Sequence, residues 1–332
     1  MEGSRCFKYI VIGNGQEWCS YSWKGYKGVE NVSFVNDFYS LINNHFIKVL
    51  CKKHFGYFKF LKKPLPFKSI WYPFLFKWLK LDDSKSRYIL VFYDWGPLAK
   101  DLSFISYIKR RLPDAKLIYL FSNVVRISGA MKYGTLDKLE RVFDQIYAFD
   151  KVDAKNYGFC FTPLIYTRNP EYKENTKEYD VFYIGNAKDR LDSLHKIYER
   201  CIATDLRCCF YINGVSKEKQ LYPAIHYNEP LSYSSVLDYI SKSKCMVDAI
   251  QSGSTAMTIK VCESVIYDKK LITTNKNVAN EPFYSPDYFY VFPSNEDLAA
   301  FVNKDVKGFS NSDKAYFSPA TFFDRINEEE YK

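Results

Sequence analysis

CMVDAIQSGSTAMTIKVCESVIYDKKLITTN, residues 245–275, decides the fold: an apolar strand, a short QSGST loop, a helix and a second apolar strand follow one another without a break. The spacing predicts strands over 244–248 and 270–274, joined by a helix over 255–268. That order is a strand-helix-strand crossover, the repeating unit of a parallel sheet. The loop also has the chemistry to hold phosphate. Gly253 permits close backbone approach, Gln251 borders the turn, and Ser252, Ser254 and Thr255 offer hydroxyls. A helix starting there would aim its first N–H groups and the positive end of its dipole at an anion, so a diphosphate is expected at 251–255. The same hydroxyls equally suit plain helix capping.

Working outward, the pattern repeats. Strands are predicted at 180–184, 207–212 and 288–292, with helices over 187–202 and 234–241. Toward the N-terminus, apolar runs at 8–12, 88–93, 116–121 and 145–149 alternate with helical segments, among them 101–111, which has apolar residues at Leu102, Ile105 and Ile108 and a basic last turn. TRNPEYKENTKE, beginning at Thr167, is polar, charged and interrupted by proline, as an interdomain linker would be. No fixed-period repeat relates the halves. The expected fold class is α/β: two Rossmann-like, doubly wound domains facing a cleft, with ligands beyond the carboxyl ends of strands. Residues 1–165 form the first domain, with a basic aromatic insertion near 45–81. Residues 166–178 form the linker, 179–315 the second domain, and 316–332 a C-terminal helix expected to brace the first.

Bulk properties agree with two domains. A chain of 332 residues exceeds what one core usually supports, and 47% hydrophobic with 26% charged residues is a globular balance. The first twelve residues read as a strand rather than a signal peptide, and no apolar run is long enough to span a bilayer. Nine cysteines without CxxC spacing suggest reduced thiols and a cytoplasmic location. Four histidines form no HExxH, and no Cys/His cluster has ligand spacing, so neither a metal nor a cofactor is expected. The net charge of +9 is local, because residues 45–81 hold nine lysines and no acidic residue.

Glu263 and the residues after it, through Ile272, match the register of a glutamate-turn-strand motif, EAMAxGxPVI, of GT-B glycosyltransferases. More closely, QSGST with its helix, followed by KKLITTNKNVANEPFYSPDYFYV, resembles bacterial GT-B enzymes of polysaccharide and lipopolysaccharide biosynthesis, over residues 179–302. The resemblance implies that Glu263 accepts hydrogen bonds from the ribose of a sugar nucleotide, with UDP the first nucleotide to test. It extends to YDVFYIGNAKDRL (179–191), whose Gly185, Asn186, Lys188 and Arg190 would face the donor and its phosphates. It also implies metal-independent transfer, since the DxD motif is missing and Asp82-Asp83 do not replace it. The acceptor would be a hydroxyl of a surface polysaccharide or a lipid-linked oligosaccharide.

In the first half, Gly13-Asn14-Gly15-Gln16-Glu17-Trp18 follows a strand but places Trp18 where a dinucleotide fingerprint needs glycine. On the transferase reading, Gly13, Asn14, Gly15 and Gln16 help hold the acceptor, while Glu17 and Asp94 are the candidate general bases; helix capping or loop stabilisation is the alternative for both carboxylates. Residues 54–81 interleave lysines with Phe55, Phe67, Trp71, Tyr72, Phe74, Phe76 and Trp78. That composition suits a membrane surface, here the inner face of the cytoplasmic membrane, or a core-covering helix pair with snorkelling lysines. Nucleic acid is not expected, as no groove-reading motif is present. Two rival functions stay open: a nucleotide-sugar epimerase-like enzyme, and a non-catalytic glycan- or membrane-binding protein with a degenerate donor site, since Thr255 stands where paired-glutamate families carry another Glu.

Overall fold

The computed structural model describes residues 7–26, 29–55, 65–81, 87–94, 96, 98–127 and 136–328, which divide into two compact units. Unit 1 comprises 1–20, 26–149 and 153–161; unit 2 comprises 21–25, 150–152 and 162–332. The α/β architecture expected from the sequence is present in both.

Unit 1 is built on six strands, β1 (Phe7–Ile12), β2 (Val32–Val35), β3 (Arg87–Tyr93), β4 (Lys116–Leu120), β5 (Gln145–Ala148) and β6 (Cys160–Phe161), in the order β2-β1-β3-β4-β5-β6. Every neighbouring pair is parallel. In β3 six successive residues, Tyr88 to Tyr93, are buried, because a parallel strand is covered on both faces. Helices α1 (Glu17–Ser22), α2 (His45–Phe55), α3 (Tyr72–Trp78) and α4 (Leu102–Arg111) follow in the chain; Leu75 and Phe76 of α3 and Phe104, Ile105 and Ile108 of α4 enter the same core as Leu90 and Phe92 of β3. Residues 56–64 of the basic aromatic segment, and Asp82 and Asp83, lie outside the described residues.

Unit 2 repeats the plan with β7 (Tyr179–Asn186), β8 (Cys208–Asn213), β9 (His226–Tyr227), β10 (Ser243–Asp248), β11 (Lys270–Thr273) and β12 (Phe289–Val291), ordered β12-β11-β10-β7-β8-β9 and parallel throughout. Phe182, Met246 and Leu271 point into one core layer, and Val181, Tyr183, Val247 and Ile272 into the other. The order reverses between β7 and β10. In a doubly wound sheet that switch point opens a crevice at the carboxyl ends of the strands, where ligands bind.

Three differences from the sequence reading have physical causes. Strands β2, β6 and β9 were not predicted; they are two to four residues long and lack a long apolar run. The helix expected over 255–268 is Ile259–Ile266, numbered α9 after α5 (Leu136–Glu140), α6 (Lys151–Tyr157), α7 (Leu191–Ile202) and α8 (Tyr233–Ser241). Thr258, not Thr255, caps it, accepting from the Lys260 N–H at 3.2 Å. Residues 166–178, read as a linker, belong to unit 2: Tyr166 is 1% exposed in its core and its N–H donates to the Phe317 carbonyl. The C-terminal helix, Pro319–Glu328, packs Phe323 against Trp23, and residues 21–25 are themselves part of unit 2.

Candidate functional site

At the switch point of unit 2, β7 ends in Gly185 and Asn186 and β10 ends in Asp248. Gly185 lies close under Tyr183, and a Cβ there would sit 2.7 Å from the Tyr183 hydroxyl, so any larger residue would have to displace that ring. The chain then turns through Lys188, which adopts a left-handed backbone (φ 47°) at a cost of about 1 kcal/mol for a non-glycine residue. Arg190 reaches back to the β7 and β10 ends, donating Nη1 to the Ala249 carbonyl at 2.8 Å and Nη2 to the Asn186 carbonyl. Lys188 Nζ donates to Gln251 Oε1 at 2.9 Å. From α9, Lys260 extends over the Tyr183 ring, its Nζ 5.4 Å from the centroid.

Three cations therefore gather at the β7–β10 switch point. Burial lowers the pKa of both Lys188 and Lys260; the Arg190 charge adds to this at Lys188, whereas at Lys260 the charges of Glu263 and Asp248 oppose burial more strongly than Arg190 reinforces it. No carboxylate among the described residues comes within 4.0 Å of any of the three. The nearby Asp248 is 1% exposed and occupied, accepting from Thr258 Oγ1 at 2.9 Å and Thr273 Oγ1 at 3.1 Å. Burial raises its pKa. The Tyr183 hydroxyl is buried without a hydrogen-bond partner, and burial pushes its pKa up to about 12. A cavity of 480 Å³ opens beside Lys188, bounded by Asp192 and His195 of α7 and by Ser216 and Glu218 after β8.

The QSGST loop differs from its expected role. Gly253 has φ 76°, which a glycine adopts without strain, and Ser254 N–H closes the turn on the Gln251 carbonyl. The anion positions are filled from within the chain, however. Ser252 N–H donates to Asp189 at 2.9 Å, while Thr255 donates its N–H at 3.3 Å and its hydroxyl at 2.8 Å to Asp150, 105 positions earlier. The helix begins only at Ile259. Phosphate at Ser252 and Thr255 would meet carboxylates; the cations at the strand ends are Lys188, Arg190 and Lys260. Lys260 was missed by the sequence reading, which placed it in mid-helix.

Glu263 is also displaced from its expected role. It is 1% exposed in the core of unit 2; Oε1 accepts from the Tyr233 hydroxyl, and Oε2 is buried without a partner. Burial raises its pKa, opposed by the charge on Lys260 and by the Tyr233 hydrogen bond. Tyr166 joins the network, its hydroxyl 2.9 Å from that of Tyr233 and 3.3 Å from that of Tyr267.

In unit 1 the corresponding position is the end of β3, next to the β1–β3 switch point. Asp94 is 2% exposed; Oδ1 accepts from Ser122 N–H at 3.0 Å and from the Ser122 hydroxyl, while Oδ2 is buried without a partner. Burial pushes its pKa up to about 6 against the pull of donors on Ser122 and Asn123. Asn14, beyond β1, approaches the same Ser122 Oγ at 3.5 Å. The remaining loop residues are fixed by local bonds. Gly13 N–H donates to the Val35 carbonyl, Gly15 N–H to Asn36 at 3.2 Å, and Gln16 N–H to Asn14 at 3.1 Å. Glu17 starts α1 and is exposed. Asp94 and Asn14 thus come together around Ser122.

No protein-family model matches the chain, and no curated protein matches it. Among solved structures it is similar to the Glycosylation Associate Protein (Gap123) complex from Streptococcus agalactiae, with 10% identity and a TM-score of 0.42 over 79% of this chain. The match covers 55% of that protein, so this chain spans about half the length of its structural neighbour.

Proposed function

We propose that the protein is a glycosyltransferase that binds a nucleotide diphosphate sugar in unit 2 and transfers the sugar to a hydroxyl of a polysaccharide or lipid-linked glycan. The observation that carries the reading is the cluster of Lys188, Arg190 and Lys260 at the β7–β10 switch point, with no carboxylate of the described residues at ion-pair distance. A diphosphate would add negative charge beside these cations, and guanidinium and ammonium donors bind it through charge-assisted hydrogen bonds. The cavity beside Lys188 would receive the nucleoside, where Asp192 and Glu218 offer acceptors for ribose hydroxyls. During transfer the bond from the anomeric carbon to the diphosphate oxygen breaks and a bond to the acceptor oxygen forms. The diphosphate leaves with the electron pair, stabilised by the same cations. The acceptor proton passes to a base, and Asp94, held near neutrality by burial, has a suitable pKa for that task.

Product analysis after incubation with UDP-, GDP- and CDP-linked sugars, with and without glycan acceptors, tests the reading. Acceptor-dependent release of nucleoside diphosphate with a glycosylated product supports it. Epimerised donor without any need for acceptor would replace it with the epimerase reading.

A further inference from the structure

Outside the donor site, the most distinctive surface lies in unit 1, on the basic aromatic segment. Its aromatic residues divide into two sets. Phe55, Trp71, Tyr72 and Phe76 are buried in the unit 1 core. Phe67, Ile70 and Phe74, at i, i+3 and i+7, are 77%, 57% and 55% exposed, and Phe46, at 69%, with Ile47 and Leu50, shows the same on α2. Of the ten large hydrophobic residues that are exposed among the described residues, six fall between positions 46 and 74. The C-terminal end of helix α2 packs on the short turn Lys68–Trp71 that leads into α3, through His54 on Trp71 and Phe55 under Lys68.

Beside them is an open cavity of 900 Å³ lined by Phe67, Lys68, Ser69, Lys100, Ser103 and Arg110 among others. Its lining carboxylate, Asp101, is engaged: Oδ1 caps α4 through Phe104 N–H at 3.2 Å and accepts from the Tyr72 hydroxyl at 3.0 Å. The lining thus sets three cations, Lys68, Lys100 and Arg110, against this one carboxylate. Of the neighbouring described elements, α2 carries Lys48, Lys52 and Lys53 and α3 carries Lys77, and neither has an acidic residue. Exposed apolar side chains around a cationic recess complement one surface, the boundary of an anionic bilayer, where acyl chains take the rings and headgroup phosphates take the charges.

We infer that this face of unit 1 docks on an anionic phospholipid bilayer, with Phe67, Ile70 and Phe74 entering the interface and Lys68 and Arg110 contacting lipid phosphate. The inference is independent of the donor reading, because it concerns unit 1 and requires no nucleotide.

Flotation of the full chain with phosphatidylcholine vesicles, with or without phosphatidylglycerol, is the test. The expected result is binding to the anionic vesicles alone, weakening as salt rises. Lys68→Glu and Arg110→Glu should each lower the partition coefficient at least about fivefold, and about 25-fold together. Phe67→Ser/Ile70→Ser/Phe74→Ser should abolish flotation while the variant unfolds at the parent temperature, these side chains being exposed. Equal binding to neutral vesicles, binding unaffected by either set of substitutions, or no binding at all would overturn the inference. So would a thermal shift with inorganic phosphate that depends on Lys68 and Arg110 in a protein that ignores vesicles, since the recess would then serve a soluble anion.

Discussion

Two residues with opposite electrostatic problems define the proposed chemistry. Asp94 is a carboxylate in a buried place, with its pKa raised from 3.8 to about 6. The folded state therefore holds the Asp94 proton more tightly than the unfolded state, and stability falls as pH rises from about 4 to about 6. Above that window the buried charge costs about 3 kcal/mol. Asp94→Asn should consequently unfold at a higher temperature than wild type at pH 7.5, with the gain vanishing near pH 4, as calorimetric scans across pH would record. If Asp94 takes the acceptor proton, the same substitution lowers the turnover number about 10²- to 10⁴-fold. The wild-type rate should climb with pH through about 6 and then level, because the carboxylate is the active form. Lys260 is the converse case, a cation whose pKa is lowered by burial and which makes no ion pair among the described residues. Its role depends on Tyr183 beneath it and on its position at a switch point, so a single sequence could not disclose it.

At the scale of elements, the loop between β10 and α9 carries the sharpest contrast between sequence and structure. Strand β10 was legible because Cys245, Met246 and Val247 are apolar and buried on both faces. The helix start was not. Thr255 and Thr258 are both acceptable caps, and the choice was made by distant partners: Asp150 takes Thr255, and Asp248 at the end of β10 takes Thr258. Asp150→Ala leaves the Thr255 N–H and hydroxyl without their acceptor and should destabilise unit 2 by about 1–3 kcal/mol, measurable by denaturant unfolding. Glu263 sits one turn inside α9, where its register matched a donor motif, but that register points it at Tyr233. Glu263→Gln keeps the shape and removes a negative charge that acts on Lys260, so nucleoside diphosphate affinity should hold or rise in isothermal titration. A loss comparable to that of a phosphate-contacting lysine would return Glu263 to the binding site.

For the whole molecule, both halves were legible as doubly wound sheets, because their long strands are apolar and alternate with helices. Strand order was not, since the short edge strands β2, β6 and β9 carry little sequence signal and yet locate each switch point. The division into units likewise follows packing rather than composition: the polar stretch after Tyr166 folds into unit 2, together with residues 21–25 and 150–152. The most direct test of the central claim is titration calorimetry of UDP, GDP and CDP into wild type and Lys260→Met. At least one diphosphate should bind the wild type, and Lys260→Met should weaken it about 10- to 100-fold, the effect of removing a charge-assisted hydrogen bond. Binding of none of the three, or equal binding to both proteins, would contradict a diphosphate site built from Lys188, Arg190 and Lys260.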